Sequence, residues 1–437
     1  MAKKNAEGYL SAKESRRISR ENRKITDEFE KKRKRKHVPE SEYLTQMHDP
    51  ANAVEFDDLH TYFFTDTGTV KSVDGVTFDV PAGKTVGIVG ESGCGKSVTS
   101  LSLMQLVQRP QGQIYSGEIR LNLGDKAYEI SKVPVEAMQK IRGNYVSMIF
   151  QEPMTSLNPV FRIGAQVDEV IALHDGEGKS KDDIKNRTIE LLEMVGIANS
   201  EGVYRMYPHE LSGGMRQRVM IAMALACNPK VIIADEPTTA LDVTIQAQIL
   251  DLLRKLKDRI NSSIMLITHD LGVIAEMADY VVVMYAGRIV EKGTAEDIFE
   301  HPSHPYTIGL MASKPVVGRQ VDKLYSIPGK VPNPVNMPNY CYFKDRCEMC
   351  VEGCGGEYPH EISLSETHKV SCYRYYGKEH SEASDAADKP GFDAAAETDS
   401  GTENIESRDM QNRQKAMSRP ASQIQKANLG QEKGGEA

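Results

Sequence analysis

The 437-residue chain contains no run of apolar residues long enough to span a membrane. Its first residues, MAKKNAEGYLSAKESRR, lack the apolar stretch of a secretory signal. We therefore expect neither an integral membrane protein nor a secreted one, and place the chain in the cytoplasm unless a partner holds it at a membrane. No internal repeat is evident, and the net charge of −8 bears on solubility rather than on fold.

Cysteine is scarce but clustered. The chain has seven cysteines, and five of them lie between Cys341 and Cys372. In a reducing compartment clustered cysteines rarely form structural disulfides, so metal binding is the better explanation for this group.

Both ends of the chain are poor in apolar residues. Residues 1–50 are polar and include the basic run KKRKRKH at 31–37, which predicts disorder or a lone helix. That run is either a solvated tail or a contact for anionic lipid headgroups or RNA. Residues 377–437 carry too little apolar surface to offset the entropy of ordering and are predicted to be disordered.

The middle of the chain alternates between strand and helix patterns. Short Val- and Ile-rich runs at 85–90, 230–235, 263–268 and 280–285 are typical of strands covered on both faces, as in a parallel sheet. Residues 245–260 carry apolar side chains at helical spacing. The predicted fold class is therefore α/β.

The strongest motif is GESGCGKS, residues 90–97, which follows a predicted strand and opens a predicted helix. Glycines let backbone N–H groups cradle phosphate oxygens where the helix dipole also favours anions. Lys96 is expected to reach the β- and γ-phosphates, and Ser97 to bind Mg²⁺. The predicted nucleotide-binding residues of this loop are Gly90, Glu91, Ser92, Gly93, Cys94, Gly95, Lys96, Ser97 and Val98.

Two carboxylates follow the strand VIIAD. Asp235 at the strand end is predicted to hold Mg²⁺ through water, and Glu236 to align and polarise the attacking water. Two acidic residues after a strand commonly belong to a solvated turn, so this pair alone is a weak signal. Together with the phosphate loop it becomes a strong indication of an Mg²⁺ and hydrolysis site.

A second anion-binding helix start is indicated by LSGGMRQR, residues 211–218. This segment and the phosphate loop can hold one nucleotide only if two chains associate head to tail. Each ATP is then shared between the loop of one subunit and the SGG segment of the other. The predicted contacts to the partner's ATP are Leu211, Ser212, Gly213, Gly214, Arg216 and Gln217.

Together these motifs resemble the ATP-binding subunits of ABC transporters over about residues 54–300. The match includes Gln151 in IFQEP, Asp242 in ALD and His269 in LITHD, the family's Q-, D- and H-loops. The resemblance implies a P-loop ATPase fold with a RecA-like parallel core, an antiparallel β subdomain and an α-helical signature subdomain. A small C-terminal cysteine-rich metal-binding segment completes the predicted architecture.

The family resemblance also implies roles for single residues. Gln151 contacts Mg²⁺ and the attacking water, and His269 contacts the γ-phosphate. With Glu236 these form the predicted catalytic set. An aromatic residue upstream of the phosphate loop stacks on adenine, and Phe63 is preferred over its neighbours Tyr62 and Phe64. No essential position is degenerate, so the chain is expected to supply competent halves to both ATP sites.

Further stretches resemble the dipeptide, oligopeptide and nickel importers within that family: residues 151–166, 301–307 and 326–334. The predicted domains are an N-terminal extension at 1–50 and an ATPase domain at 51–305, with its helical subdomain at about 152–228. A C-terminal region at 306–376 and a tail at 377–437 follow.

That group often ends in a segment whose cysteines bind an iron–sulfur cluster. Here Cys341, Cys347, Cys354 and Cys372 match its pattern, as expected for a [4Fe–4S] cluster. Cys350 is additional and forms a CEMC spacing that also occurs in zinc sites, so it is a possible substitute ligand. The cluster, Zn²⁺ and unliganded thiols remain alternatives.

The resemblance implies an ATP-hydrolysing subunit of a di- or oligopeptide importer, bound peripherally at the cytoplasmic face of the membrane. Its expected partners are two transmembrane permease subunits, a second ATPase subunit that is a paralogue, and an extracytoplasmic solute-binding protein. Nucleic acid is not expected. The alternatives are nickel or another small solute as cargo, a regulatory iron–sulfur module in which binding of ATP matters more than its turnover, and a non-transport ABC ATPase acting on ribosomes or DNA. Proteins of that last kind commonly carry two cassettes or a coiled-coil insertion, and this sequence has neither.

Overall fold

The computed structural model describes residues 11–152, 156–174, 179–239, 241–313 and 325–377. The predicted tail beyond residue 377 lies outside these ranges. In chain order the helices are α1 (Ala12–Arg33), α2 (Lys96–Leu103), α3 (Val135–Ile141), α4 (Ile163–His174), α5 (Lys181–Met194), α6 (Ser200–Arg205), α7 (Gly213–Leu225), α8 (Val243–Ile260), α9 (Leu271–Met277), α10 (Ala295–Glu300) and α11 (Pro305–Ala312).

The strands of the described residues form two sheets. The strands are β1 (Leu44–Thr45), β2 (Asn52–Phe64), β3 (Thr69–Pro81), β4 (Thr85–Val89), β5 (Gly112–Asn122), β6 (Ala127–Glu129), β7 (Val146–Ile149), β8 (Val231–Asp235), β9 (Ser263–Ile267), β10 (Tyr280–Tyr285), β11 (Arg288–Thr294), β12 (Ile362–Ser363) and β13 (Lys369–Val370). One sheet has the order β1-β6-β5-β2-β3, and the other has the order β12-β13-β11-β10-β4-β9-β8-β7.

The second sheet has a parallel centre, as the apolar runs predict. β10, β4, β9, β8 and β7 pair in parallel, with Val86 opposite Met265 and Ile233 opposite Met265 on the other side. Every residue of β4, β8 and β9 is buried, which is why these strands read as unbroken apolar sequence rather than as alternation. Because the strands are parallel, the loops that follow them meet at one edge of the sheet.

The first sheet is antiparallel, as the predicted β subdomain requires. Its long strands β2 and β3 pair from Asn52–Pro81 at one end to Phe64–Thr69 at the other. Phe56 and Phe78 stack with ring centroids 4.5 Å apart inside its core. Helices α4 to α7 lie within the range predicted for the helical subdomain, and their apolar faces share one core with β8 and β9.

The N-terminal helix differs from the sequence expectation of disorder or a lone helix. α1 is docked on the body: the Asn22 amide donates to the Thr65 carbonyl at 2.6 Å, and Glu30 accepts from Arg109 at 2.9 Å. The basic run is also engaged, since Arg35 pairs with Glu42. Composition alone misses these contacts because they use a few polar side chains rather than an apolar stripe.

The described C-terminal residues close over the sheet rather than forming a separate body. β12 and β13 extend the second sheet beyond β11. Buried Glu291 of β11 accepts from the backbone N–H of Ser303 and His304, and its carboxylate lies 2.8 Å from Nε2 of His368. Within the described ranges, no helix has both the length and the hydropathy needed to cross a bilayer.

Candidate functional site

The phosphate loop connects β4 to α2 and depends on two of its glycines. Gly90 has φ +151°, and a Cβ built on it lies 2.1 Å from the Met284 carbonyl oxygen. Gly95 has φ +103°, caps α2, and its Cβ would lie 2.3 Å from the Ser72 carbonyl oxygen. Any other residue at either position would clash with backbone, so the sequence here is fixed by the close approach of neighbouring strands.

Lys96 folds back over this loop. Its Nζ donates to the carbonyl oxygens of Gly90 at 2.7 Å and Glu91 at 3.2 Å. The ammonium group is thereby held beside the loop that is predicted to cradle the phosphates. Ser92 and Gly93 are exposed at the tip of the loop, while Val98 is half-buried in the first turn of α2.

Cys94 faces the interior of the loop. Burial raises the pKa of its thiol, and the nearby Lys96 ammonium only partly offsets this. A thiol near a helix N-terminus can be reactive, but this one is held protonated and shielded from solvent.

A pair of oxygen ligands suited to Mg²⁺ lies next to the loop. The Ser97 hydroxyl donates to Oδ1 of Asp235 at 3.1 Å, where α2 begins and β8 ends. Burial, together with the charge of Glu236, raises the pKa of Asp235. A hard cation would relieve that cost, and hydroxyl and carboxylate oxygens are ligands that Mg²⁺ prefers.

Two of the predicted catalytic side chains converge on the carboxylate of the third, Glu236. The Gln151 amide donates to Oε2 of Glu236 at 2.8 Å, and Nδ1 of His269 lies 3.3 Å from Oε1. Thr239 also donates to Oε2 at 2.9 Å. The sequence predicts Gln151, Glu236 and His269 as a set, and the structure brings them together. Thr239 was not predicted.

The sheet topology explains this convergence. Gln151 follows β7, Glu236 follows β8, His269 follows β9 and Gly90 follows β4, which are four neighbouring parallel strands. Glu236 has φ +47°, an uncommon conformation for a residue other than glycine. Such strain concentrates at functional sites, where surrounding structure holds it in place.

The signature segment opens α7. The Ser212 side chain accepts from the Met215 N–H at 3.3 Å and caps the helix. A Cβ built on Gly213 meets nothing within 4 Å, so the start of this helix is open to a partner. Asp242 caps α8 in the same way, accepting from the Ile245 N–H at 3.0 Å. Ala240, the first residue of the predicted D-loop, lies outside the described residues.

Two predicted signature contacts point elsewhere. Gln217 is 2% exposed and its amide donates to the Pro237 carbonyl at 2.6 Å; Leu211 is buried at 3% exposure. Both side chains therefore face the interior of their own subunit rather than a partner. Gln217 instead ties the signature helix to the residue after Glu236. Gly214 packs near Ile245, and Arg216 donates to the Leu211 carbonyl at 2.7 Å.

Phe63 is the most accessible of the three neighbouring aromatic candidates. Its ring is half-buried beside Gly112, whereas Tyr62 and Phe64 are buried. Partial exposure is compatible with stacking on a base, and the stacking role stays a prediction.

The sequence of the chain also resembles those of known proteins. A family model described as ABC transporter matches residues 73–239, from β3 to the residues after Glu236. The chain is 51% identical over 322 residues to the oligopeptide transport ATP-binding protein AppD of Bacillus subtilis, covering 74% of this chain and 96% of that protein. The chain belongs to the ABC transporter ATPase family. As an ABC ATPase it binds ATP with Mg²⁺ and hydrolyses it.

A second family model, described as oligopeptide/dipeptide transporter, C-terminal region, matches residues 290–354 of this ABC ATPase. A dipeptide transport ATP-binding protein of Lactococcus lactis is 50% identical over 315 residues, covering 72% of this chain and 88% of that protein. A putative peptide import ATP-binding protein of Brucella ovis is 49% identical over 324 residues, covering 72% and 95%.

The cysteine segment, residues 341–372 of this ABC ATPase, places the four predicted thiols near one another. Burial, and then the neighbouring thiols of the group, raise the pKa of Cys341 to about 12 and that of Cys347 to about 11. Cys354 and Cys372 are buried, Cys350 is exposed, and each of these cysteines is free of disulfide bonds. Yet the described residues contain no group of three or more His, Cys, Asp or Glu side chains arranged to hold a metal ion. The predicted metal-binding segment is therefore not supported by this geometry.

Sequence reasoning also missed how the C-terminal region reaches the ATP site. The Glu91 carboxylate, predicted only as part of the phosphate loop, accepts from Arg346 at 2.7 and 3.0 Å. The two residues are 255 positions apart, and no local pattern pairs them.

Proposed function

We propose that this ABC ATPase is the energy-coupling subunit of an importer for di- and oligopeptides. The observation that carries the proposal is the combination of the Glu236 site with a C-terminal region like that of peptide transporters. Relatives named for oligopeptide and dipeptide transport, each at about half identity, support the choice of cargo.

The proposed reaction is ATP + H₂O → ADP + phosphate. Lys96 and the loop N–H groups bind the β- and γ-phosphates, and Ser97 and Asp235 hold Mg²⁺. Glu236 accepts a hydrogen bond from the attacking water and takes up its proton as the bond between the γ-phosphorus and ADP breaks. Gln151 and His269, both within reach of that carboxylate, orient the water and the γ-phosphate.

The site is proposed to be complete only when two ATPase subunits face each other. The open start of α7 at Ser212 and Gly213 offers N–H groups to the nucleotide on the partner, as helix N-termini do for anions. The second ATPase subunit is proposed to be a paralogue, and ATP-driven closure of the pair moves two permease subunits at the cytoplasmic face of the membrane. A solute-binding protein on the other side selects the peptide.

The test of cargo uses the complex isolated from membranes through a tag on this chain. We expect permease subunits and a second ATPase to co-purify, and ATP-dependent uptake of a labelled tripeptide when the complex and its solute-binding protein are placed in vesicles. The matched control is a complex with Glu236→Gln, which should take up none. ATP-dependent uptake of ⁶³Ni²⁺ without uptake of peptide would contradict the proposed cargo.

We also propose that Cys341, Cys347, Cys354 and Cys372 bind a [4Fe–4S] cluster that staples the C-terminal region, with Zn²⁺ as the alternative. Support comes from the proximity of the four thiols, three of which are buried, and from the exposure of Cys350. Within the described residues these thiols do not stand at ligand geometry.

A metal analysis tests this assignment. We expect the full-length protein purified without oxygen to be coloured and to hold about four iron atoms per chain. Cys354→Ser should lose the iron and the visible absorption, whereas Cys350→Ser should keep both. A colourless sample with one zinc ion per chain, or iron that depends on Cys350, would contradict it.

A further inference from the structure

The phosphate loop is held from outside by the C-terminal region. Both oxygens of the Glu91 carboxylate accept N–H groups of the Arg346 guanidinium, at 2.7 and 3.0 Å. The backbone N–H of Glu91 also donates to the hydroxyl of Tyr306 in α11, at 2.8 Å. The second residue of the loop is thus fixed through its side chain and its backbone, and both partners come from the C-terminal region.

Arg346 itself has little freedom to move. Its side chain is 6% exposed, and its Nε donates to the Pro328 carbonyl at 2.8 Å. The guanidinium also lies 3.3 Å from the Tyr285 hydroxyl and 5.9 Å from the centre of the Phe343 ring. A planar guanidinium with two-pronged pairing and buried surroundings holds its partner in one geometry, which a flexible ammonium does not.

The backbone of Arg346 lies between two of the clustered cysteines. It ends a short 3-10 helix, Lys344–Arg346, that begins three residues after Cys341 and is capped by Cys347. The Lys344 N–H donates to the Cys341 carbonyl at 3.1 Å, and the Cys347 N–H donates to the Lys344 carbonyl at 3.2 Å. The backbone of the residue that holds Glu91 is therefore hydrogen-bonded into the same turn as Cys341 and Cys347.

Glu91 in turn touches the lysine of the ATP site. Its carbonyl accepts from Nζ of Lys96 at 3.2 Å, next to the 2.7 Å bond from the same ammonium to the Gly90 carbonyl. Arg346 therefore reaches Lys96 through a single intervening residue. Among the described residues, the hydrogen-bond partners of the Glu236 carboxylate are Gln151, Thr239 and His269, and they include neither Arg346 nor Glu91.

We propose that Arg346 is a positioning residue for the phosphate loop, through which the cysteine segment sets the affinity for MgATP. The inference rests on the proposed function insofar as Lys96 and the loop bind ATP. It predicts an effect on binding rather than on the chemical step, because the chain of contacts ends at Lys96 and leaves Glu236 in place.

The experiment measures MgATP affinity on the full-length chain purified without oxygen, by calorimetry in a Glu236→Gln background. It measures kcat and KM on the complex isolated from membranes, in which this chain is otherwise unmodified. We expect Arg346→Met to weaken MgATP binding about tenfold, a typical size for coupling between sites, and to raise KM by a similar factor with kcat nearly unchanged. Arg346→Lys should lose less MgATP affinity than Arg346→Met because it retains the positive charge.

A double-mutant cycle separates this role from general damage to the segment. Glu91→Gln should weaken binding much as Arg346→Met does, and the double variant should be no weaker than either single variant by more than about twofold. Lys344→Met is the matched control, since Lys344 lies in the same short helix but over the ring of Tyr340. It should bind MgATP like the parent.

Several results would overturn the inference. These are parent-like affinity in folded Arg346→Met, equal losses in Arg346→Met and Lys344→Met, or losses that multiply in the double variant. If Arg346→Met fails to fold, Arg346→Lys and Glu91→Gln decide the matter in the same assay. A parent chain that binds no MgATP would instead contradict the proposed function, so the two failures are distinguishable.

Discussion

Glu236→Gln is expected to lower kcat for ATP hydrolysis by a factor of at least about 100, the usual minimum for losing a general base. The amide keeps the size of the side chain but cannot accept the proton of the attacking water. ATP affinity should stay within a few-fold of the parent, because the groups at the phosphates, Lys96 and Ser97, are untouched. Phosphate release and nucleotide binding, each measured on the purified complex, provide the two readouts.

The control for this change is Glu276→Gln, which removes a carboxylate paired with Arg254 in an exposed contact. Its kcat should match the parent, since exposed ion pairs contribute little. Retained hydrolysis in Glu236→Gln would contradict the assigned role of Glu236, and retained transport without hydrolysis would favour the alternative in which ATP binding alone matters.

Asp74→Asn is expected to lower the free energy of unfolding by about 3–5 kcal/mol, the usual cost of breaking a buried ion pair by removing one partner. Asp74 is 1% exposed and accepts from Tyr62, Arg288 and Tyr342, with Nδ1 of His60 3.1 Å away. These partners join the β2–β3 hairpin to β11 and to the cysteine segment. Denaturant midpoints of parent and variant measure the difference.

The difference in stability between the parent and Asp74→Asn should also depend on pH, in a direction that follows from the pKa of Asp74. Burial alone would raise the pKa of Asp74, but hydrogen bonds from His60 and Tyr62 and the charge of Arg288 outweigh it and hold the pKa well below its ordinary 3.8. A lowered pKa stabilises the fold above the ordinary value, and that stabilisation is lost as the pH falls through the native pKa. The gap between parent and Asp74→Asn should therefore be full at neutral pH and shrink as the pH is lowered below about 4.

Asp58→Asn is the matched control for Asp74→Asn. Asp58 also lies next to His60, at 3.1 Å from Nε2, but its side chain is 73% exposed. We expect Asp58→Asn to lower the free energy of unfolding by less than about 1 kcal/mol. Equal losses in the two variants, or a gap that widens on acidification, would contradict the account of Asp74.

The ATP site was predictable because its residues carry local signals. Each catalytic candidate closely follows a buried apolar strand, and parallel pairing alone brings the ends of β7, β8 and β9 together. The glycines of the phosphate loop are equally local, since their positive φ angles and close backbone contacts demand that residue.

The contacts that join distant parts of the chain were not predictable in this way. Arg346 with Glu91, Asp74 with Arg288 and Tyr342, and α1 with Thr65 each pair polar side chains far apart in sequence. Polar pairs of this kind leave no periodic trace, because periodicity records only which face of an element is buried. The inward orientation of Gln217 was missed for a related reason: a motif gives the residue but not the side of the helix that packs.

The central claim is that two cassettes pair around ATP, and a distance measurement on the isolated complex tests it most directly. A spin label at Val243→Cys, an 83% exposed position beside Asp242, is paired with one on the second ATPase subunit, in a Glu236→Gln and Cys350→Ser background. Added MgATP should shorten the distance between labels, and Lys96→Ala should abolish the change. A distance that MgATP leaves unaltered in a complex that binds the nucleotide would contradict a shared ATP site.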